Sequence, residues 1–218
     1  MPYDLDLFVS DISDTHLCLL NKYNVVDEHL LIVTRQFEEQ ENLLNFDDFL
    51  SLWAVLQEFN GLAFYNSGKI AGASVRHKHL QLIPREFTPR GIPIETIFNA
   101  VVFQEEIGII NSLPFGHAYS VLNNNLETLE ELAKTSVNIY QNLLTSLNLQ
   151  EGLPYNLLMT KEWMLIIPRS QPCYQDIGIN SLGFAGAMLV RNQQELELVK
   201  ECGPLEILKK VGFYQPTI

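Results

Sequence analysis

The stretch Gly72-Ala-Ser-Val-Arg-His-Lys-His-Leu-Gln-Leu-Ile-Pro84 constrains the chain more than any other. His77, His79 and Gln81 alternate in it with Lys78, Leu80 and Leu82. An extended strand sends every second side chain to the same face. The pattern therefore predicts a strand with two imidazoles and an amide in a row on one side. Lys78 and Arg76 then point to the opposite face, as scaffold or solvent-facing residues.

The surrounding segment is locally cationic. Gly61 to Ile94 holds Lys69, Arg76, Lys78, Arg85 and Arg90 against the single acid Glu86, in a chain whose net charge is −12. An acidic protein is a poor partner for nucleic acid, whereas a local cationic stretch around two histidines suits a small anionic ligand. With 218 residues, 47% of them hydrophobic, the chain can bury a sizeable core in one domain or two closely packed lobes. Its three cysteines, Cys18, Cys173 and Cys202, are far apart and form no CxxC. A reducing compartment is the default for such a chain. No apolar run reaches bilayer length and no leader is evident, so a cytoplasmic protein without membrane partners is expected.

Around the row, short apolar runs predict strands at Thr15–Leu20, His29–Thr34, Leu62–Tyr65, Tyr155–Met159 and Trp163–Ile167, the last two a hairpin. Asn45, with Asp48 three positions on, predicts a helix start, and Phe49, Leu52, Trp53 and Leu56 follow at helical spacing. Leu126–Leu147 predicts the longest helix, and further helices are expected over Gln193–Cys202 and Pro204–Val211. Residues 94–111 read as partly helical, residues 1–14 as a polar lead-in, and Asn66-Ser67-Gly68 as a turn between antiparallel strands.

Two internal echoes suggest a duplicated scaffold. Asn66-Ser67 with Ala71-Gly72-Ala73 returns 114 residues later as Asn180-Ser181 with Ala185-Gly186-Ala187, and Leu30–Arg35 resembles Met164–Arg169. On that alignment Met188, Arg191 and Gln193 replace Ser74, His77 and His79, so the second copy keeps the scaffold and loses the chemistry.

The row itself suits attack on phosphorus. An imidazole held at one ring nitrogen offers the other as a nucleophile near neutral pH. Charge building on the non-bridging oxygens then needs fixed donors. Gln81 can supply an amide N–H. Asn66, Ser74 and the small-residue backbone at Gly72 and Ala73 are near enough in sequence to complete a phosphate nest. Two readings stay open beside this one: zinc held by the histidine pair, and a pair of structural histidines. His16, His29 and His117 read as core or surface residues.

Gly72-x-Ser74-x-x-His77-x-His79-x-Gln81 resembles the His-x-His-x-Gln branch of the histidine-triad (HIT) superfamily. Within it, Phe64–Gly68, Arg76–Gln81, Asp11–His16, Leu20–Asn24 and His29–Arg35 resemble the diadenosine tetraphosphate phosphorylases, or ATP adenylyltransferases. Tyr155–Thr160, Trp163–Ser170 and Gly183–Gly186 resemble that family's second domain.

The resemblance implies an α+β fold: a HIT-like antiparallel sheet with flanking helices, duplicated as an intrachain pseudo-dimer. The catalytic lobe is expected over residues 1–111 and a degenerate lobe over residues 112–218. It implies conversion of diadenosine tetraphosphate and phosphate to ATP and ADP through AMP carried on His79. His77 would support the nucleophile, and Gln81, Ser74 and Asn66 would hold α-phosphate oxygens. Magnesium or manganese would act with the polyphosphate, with no tightly bound protein metal site. Gln81, where triad hydrolases have histidine, favours transfer to phosphate over water. Lys161 is expected near the polyphosphate from its hairpin position, and the chain as a monomer or homodimer. The family's N-terminal extension is not matched before Met1. The alternatives are a related nucleotide transferase or hydrolase, or a non-catalytic nucleotide-binding chain.

Overall fold

The computed structural model describes residues 4–123 and 126–213. Five strands, β1 (Phe8–Asp11), β2 (His16–Leu20), β3 (Leu30–Thr34), β4 (Gly61–Asn66) and β5 (His79–Pro84), come from the first part of the chain. Five more follow: β6 (Val101–Gln104), β7 (Ile107–Ile110), β8 (Ala118–Val121), β9 (Tyr155–Met159) and β10 (Trp163–Pro168). All ten join one antiparallel sheet in the order β1-β2-β3-β5-β4-β9-β10-β8-β7-β6.

The order is symmetric about the central β4–β9 pair. Outward from it run β4, β5, β3, β2, β1 on one side and β9, β10, β8, β7, β6 on the other. Each unit contributes three strands, then a helix, then two strands. Helix α1 (Phe46–Glu58) and helix α2 (Leu129–Ser146) are these equivalent helices, and they pack side by side. Trp53 of α1 donates its indole N–H to Ser136 of α2 at 2.8 Å. The expected α+β antiparallel sheet with flanking helices is thus present, built from two units of the same strand order.

Alternation along the strands divides the core in two. Leu80, Leu82, Tyr65, Leu157 and Met159 pack against α1 and α2. Phe64, Ile83, Leu158, Trp163, Leu165 and Ile167 face the opposite side. That side is covered by α3 (Ser181–Ala185) and α5 (Pro204–Val211), with α4 (Gln193–Cys202) beside them. Helix α1 starts where the sequence predicts: the Asn45 side chain accepts from the N–H groups of Asp47 and Asp48, and Asp48 accepts from the Asn45 N–H at 2.7 Å. Thr128 and Glu131 cap α2 in the same reciprocal way.

Several expectations are corrected. Residues 94–111 are helical only at their start, as a 3-10 helix over Pro93–Ala100; the rest is the β6–β7 hairpin, because β-branched Val101, Val102, Ile107, Ile109 and Ile110 favour strand. The hairpin lies within the residues 1–111 expected as the first lobe, yet it extends the far side of the sheet next to β8. The lead-in contains β1. The strands flanking Asn66-Ser67-Gly68 are adjacent and antiparallel, but residues 67–78 make a longer excursion through a 3-10 turn at Lys69–Ala71.

The two sequence echoes do not mark equivalent elements either. The counterpart of β3 is β8, and that of β5 is β10, so Leu30–Arg35 and Met164–Arg169 are not copies. The segments after Asn66 and Asn180 are neighbours: Ser181 donates its N–H and hydroxyl to the Asn66 side-chain oxygen at 3.0 and 2.7 Å. What they share is a short helical turn closed by a left-handed glycine, Gly72 at φ 95° and Gly186 at φ 101°. Met188, Arg191 and Gln193 are therefore not counterparts of Ser74, His77 and His79. On β10 the positions facing the same side as His79 and Gln81 are Trp163, Leu165 and Ile167, all apolar.

Asn45→Ala removes the α1 cap and is expected to cost about 1 kcal/mol in a urea titration. An unchanged midpoint would show that the cap contributes nothing.

Candidate active site

His79 opens β5, at the edge where β4 and β5 diverge. Its backbone is fixed by a side chain rather than by the ladder. Buried Gln40 accepts from the His79 N–H at 2.8 Å and donates to the carbonyls of His79 (3.1 Å) and Asn66 (3.0 Å). One amide thus completes the hydrogen bonding at both strand ends. Gln40 is itself held by its backbone N–H to the Arg76 carbonyl (2.8 Å) and by the Tyr65 hydroxyl on its carbonyl.

The His79 ring is oriented by its own chain. Nδ1 lies 2.8 Å from the His77 carbonyl oxygen, which can only accept, so Nδ1 carries the proton and Nε2 is left with its lone pair. Burial, the largest influence, lowers the His79 pKa; the bond to the His77 carbonyl acts the other way, and the nearby His77 ring lowers it further. A neutral imidazole with a bare Nε2 is a nucleophile.

The row is shorter than the alternation suggests. His77 precedes the strand and bridges Glu39. Its Nε2 lies 3.1 Å from the Thr34 hydroxyl and donates to the Gln36 carbonyl at 3.2 Å. What His77 gives His79 is a carbonyl. Gln81 faces the same side as His79, and its Oε1 lies 2.9 Å from Nε2 of His29. His29 is buried against Phe64, so it is more than the core filler the sequence suggests.

Lys78 does point to the opposite face, but it is buried rather than solvent-facing. Its ammonium meets Asp48 at 2.6 Å, Glu38 at 3.1 Å and the Leu43 carbonyl at 3.1 Å. Burial alone would raise the Asp48 pKa; the His16 hydrogen bond and the Lys78 charge outweigh it and hold the carboxyl below its usual range. Arg76 is exposed and pairs with Glu39.

The small-residue loop leans on the second unit. A side chain at Gly72 would meet the Ile179 carbonyl at 2.8 Å and the Asn180 Cα at 2.9 Å, besides requiring a left-handed backbone. The N–H groups of Gly72 and Ala73 bond within the loop, to the carbonyls of Lys69 (3.0 Å) and Gly68 (3.1 Å). Ser74 is exposed. The Asn66 side-chain oxygen accepts from Asn156 at 2.8 Å as well as from Ser181. Asn156 also donates to the Ala71 carbonyl, which accepts in addition from fully buried Arg169 at 3.1 Å. Burial lowers the Arg169 pKa to about 10.

Lys161 is not brought to this cluster. Register sets Met159 opposite Ala63 and Gly61 opposite Pro84, so the turn before β10 lies at the Pro84 end of β5. Glu162 in that turn meets Arg85 at 2.8 Å. The run from Pro84 to His79 is roughly 17 Å of extended strand. Gln40, His29, Asn156, Arg169 and Ser181 are site-building residues outside the sequence motif. His29 carries a faint signal, a histidine opening an apolar strand; Gln40 carries none.

A family model described as the Ap4A phosphorylase N-terminal domain matches residues 1–100, and one described as the ATP adenylyltransferase C-terminal domain matches residues 111–214. Protein APA1 of Saccharomyces cerevisiae is 31% identical over 231 residues, covering 89% of this chain and 68% of that protein. Diadenosine 5',5'''-P1,P4-tetraphosphate phosphorylase 2 of the same yeast is 31% identical over 220 residues, covering 84% of this chain and 64% of that protein. The chain thus spans about two thirds of the length of these curated relatives. The crystal structure of yeast Ap4A phosphorylase Apa2 in complex with Ap4A superposes with a TM-score of 0.81 at 27% identity, covering 99% of this chain and 80% of that one.

Removing the Lys78 ammonium leaves the Asp48 carboxylate buried without that cation. Lys78→Met is expected to lose about 3–5 kcal/mol of unfolding free energy in urea. A loss below about 1 kcal/mol would mean that the pair does not anchor the motif.

Proposed function

This chain belongs to the Ap4A phosphorylase (ATP adenylyltransferase) family, and from that premise we propose that it converts diadenosine tetraphosphate and phosphate to ATP and ADP through AMP bound to His79. The observation that carries this reading is the bond from His79 Nδ1 to the His77 carbonyl, which leaves Nε2 bare. Nε2 attacks the α-phosphorus, a nitrogen–phosphorus bond forms, and the bond to the α,β-bridging oxygen breaks with that oxygen leaving as part of ATP. An oxygen of inorganic phosphate then attacks the same phosphorus. The nitrogen–phosphorus bond breaks, its electron pair returns to Nε2, and ADP is released. The proton stays on Nδ1, donated to the His77 carbonyl throughout, and that bond steadies the cationic ring of the intermediate.

In this reading Gln81 donates its amide N–H to an α-phosphate oxygen, and Ser74 offers its exposed hydroxyl. Gly72 and Ala73 contribute a close-packed loop. Asn66 acts from behind, through its bonds to Asn156 and Ser181. The Gln81 amide does not titrate near neutral pH, so it cannot take a proton from an attacking water, which favours phosphate as acceptor. Among the described residues no group of three or more His, Cys, Asp or Glu side chains is placed to hold a metal. A magnesium or manganese ion would arrive with the polyphosphate and screen its charge. Among the described residues no helix is long and apolar enough to cross a membrane.

Incubation with diadenosine tetraphosphate in the absence of phosphate is expected to add one AMP to His79, seen by peptide mass spectrometry, and to release ATP. No adduct, or equal turnover by His79→Ala, would sink the reading. The pH profile gives a second check. A protonated His79 cannot attack, and its pKa is lowered from 6.5. The acid limb of kcat/KM should therefore have its midpoint below 6.5; a midpoint above it would contradict a neutral resting imidazole.

A further inference from the structure

We infer that His29 is a positioning residue that fixes which end of the Gln81 amide faces the substrate. This rests on the reading above, in which Gln81 donates to the α-phosphate. A glutamine amide has a donor end and an acceptor end, and a half-turn exchanges them. Turned the wrong way, Gln81 would present Oε1 to a phosphate oxygen and repel it.

The surroundings decide between the two. Gln81 Oε1 lies 2.9 Å from His29 Nε2. An oxygen can only accept there, so Nε2 carries the proton. The Asn21 amide nitrogen lies 3.3 Å from Nδ1 and 3.4 Å from Nε2, beside the ring rather than along the lone-pair direction of either nitrogen, so it packs against the ring without setting the tautomer. Burial lowers the His29 pKa, which favours the neutral ring. The ring has little room to turn: it is buried, lies 5.9 Å from the Phe64 ring and sits just ahead of β3. Asn21 is tied in turn by its backbone N–H to the His29 carbonyl at 2.8 Å. His29 and Gln81 thus form a relay of fixed polarity, ring N–H to amide oxygen, whose last donors are the Gln81 N–H groups.

The relay is tested by the single-turnover rate of AMP transfer to His79 in the full chain. His29→Leu keeps bulk but removes the donor, and should slow transfer about tenfold, the scale of one hydrogen bond's net contribution. His29→Gln carries an N–H near the position of Nε2 and should recover most of the rate. His29→Asn places its amide nearer Nδ1 and should not, which keeps the test decisive if His29→Leu fails to fold. In a Gln81→Ala background, His29→Leu should cause no further loss. Equal rates in His29→Leu and wild type, or a full tenfold loss in the Gln81→Ala background, would overturn the relay while leaving the Gln81 reading intact. An unchanged rate in Gln81→Ala alone would overturn the Gln81 reading, and the relay with it.

Discussion

A buried carboxylate, Asp48, ties together the three parts of the chain that the site requires. It closes the first turn of α1 by accepting from the Asn45 N–H, meets His16 of β2 at 3.1 Å, and meets Lys78 at 2.6 Å. Lys78 lies between the two motif histidines, and both it and Asp48 are only 1% exposed. A charge pair taken so far from water is stable only while both partners stay. Strand alternation then divides the work. The side chain of Lys78 anchors the motif on the helix-covered face, and the next residue, His79, faces the opposite side, where the chemistry would occur.

The second unit supplies support rather than a second site. Its strand equivalent to β5 carries Trp163, Leu165 and Ile167, which fill core. Its contribution is made at the central seam, where β9 meets β4. Asn156 from β9, Arg169 just after β10 and Ser181 at the start of α3 converge on Asn66 and the Ala71 carbonyl. Arg169 is fully buried and its hydrogen bonds go to the side chain of Asn156 and the carbonyls of Ala71, Gln171 and Val211. Carbonyl dipoles stand where a carboxylate would more often be found, consistent with a lowered pKa. Duplication thus gives the loop at Gly72 a buried backing that a single unit would leave in water.

Local signals carried much of this architecture into the sequence. The Asn45–Asp48 cap, the β9–β10 hairpin and the face shared by His79 and Gln81 all depend on residues within a few positions of one another. What escaped depends on chain segments meeting in space. Gln40 acts by its amide on backbone groups 26 and 39 positions away, and no pattern in a polar loop marks such a residue. His29 looks like strand filler until β3 is set beside β5. His77 was misplaced by one simple cause: the strand begins at His79, so its neighbour serves through a carbonyl instead of a ring. The two echoes do not mark the symmetry of the strand order, because two adjacent loops with glycine ends resemble each other more than the diverged strands do.

The central claim is a phosphorus that changes partners twice at His79. It is tested most directly by stereochemistry, using one isomer of diadenosine tetraphosphate with sulfur at a non-bridging position of the α-phosphorus and phosphate as acceptor. Two in-line displacements each invert the phosphorus, so the thio-ADP formed should retain configuration, readable by phosphorus NMR. Inversion would mean that phosphate attacks the substrate directly, and His79 would not be the carrier.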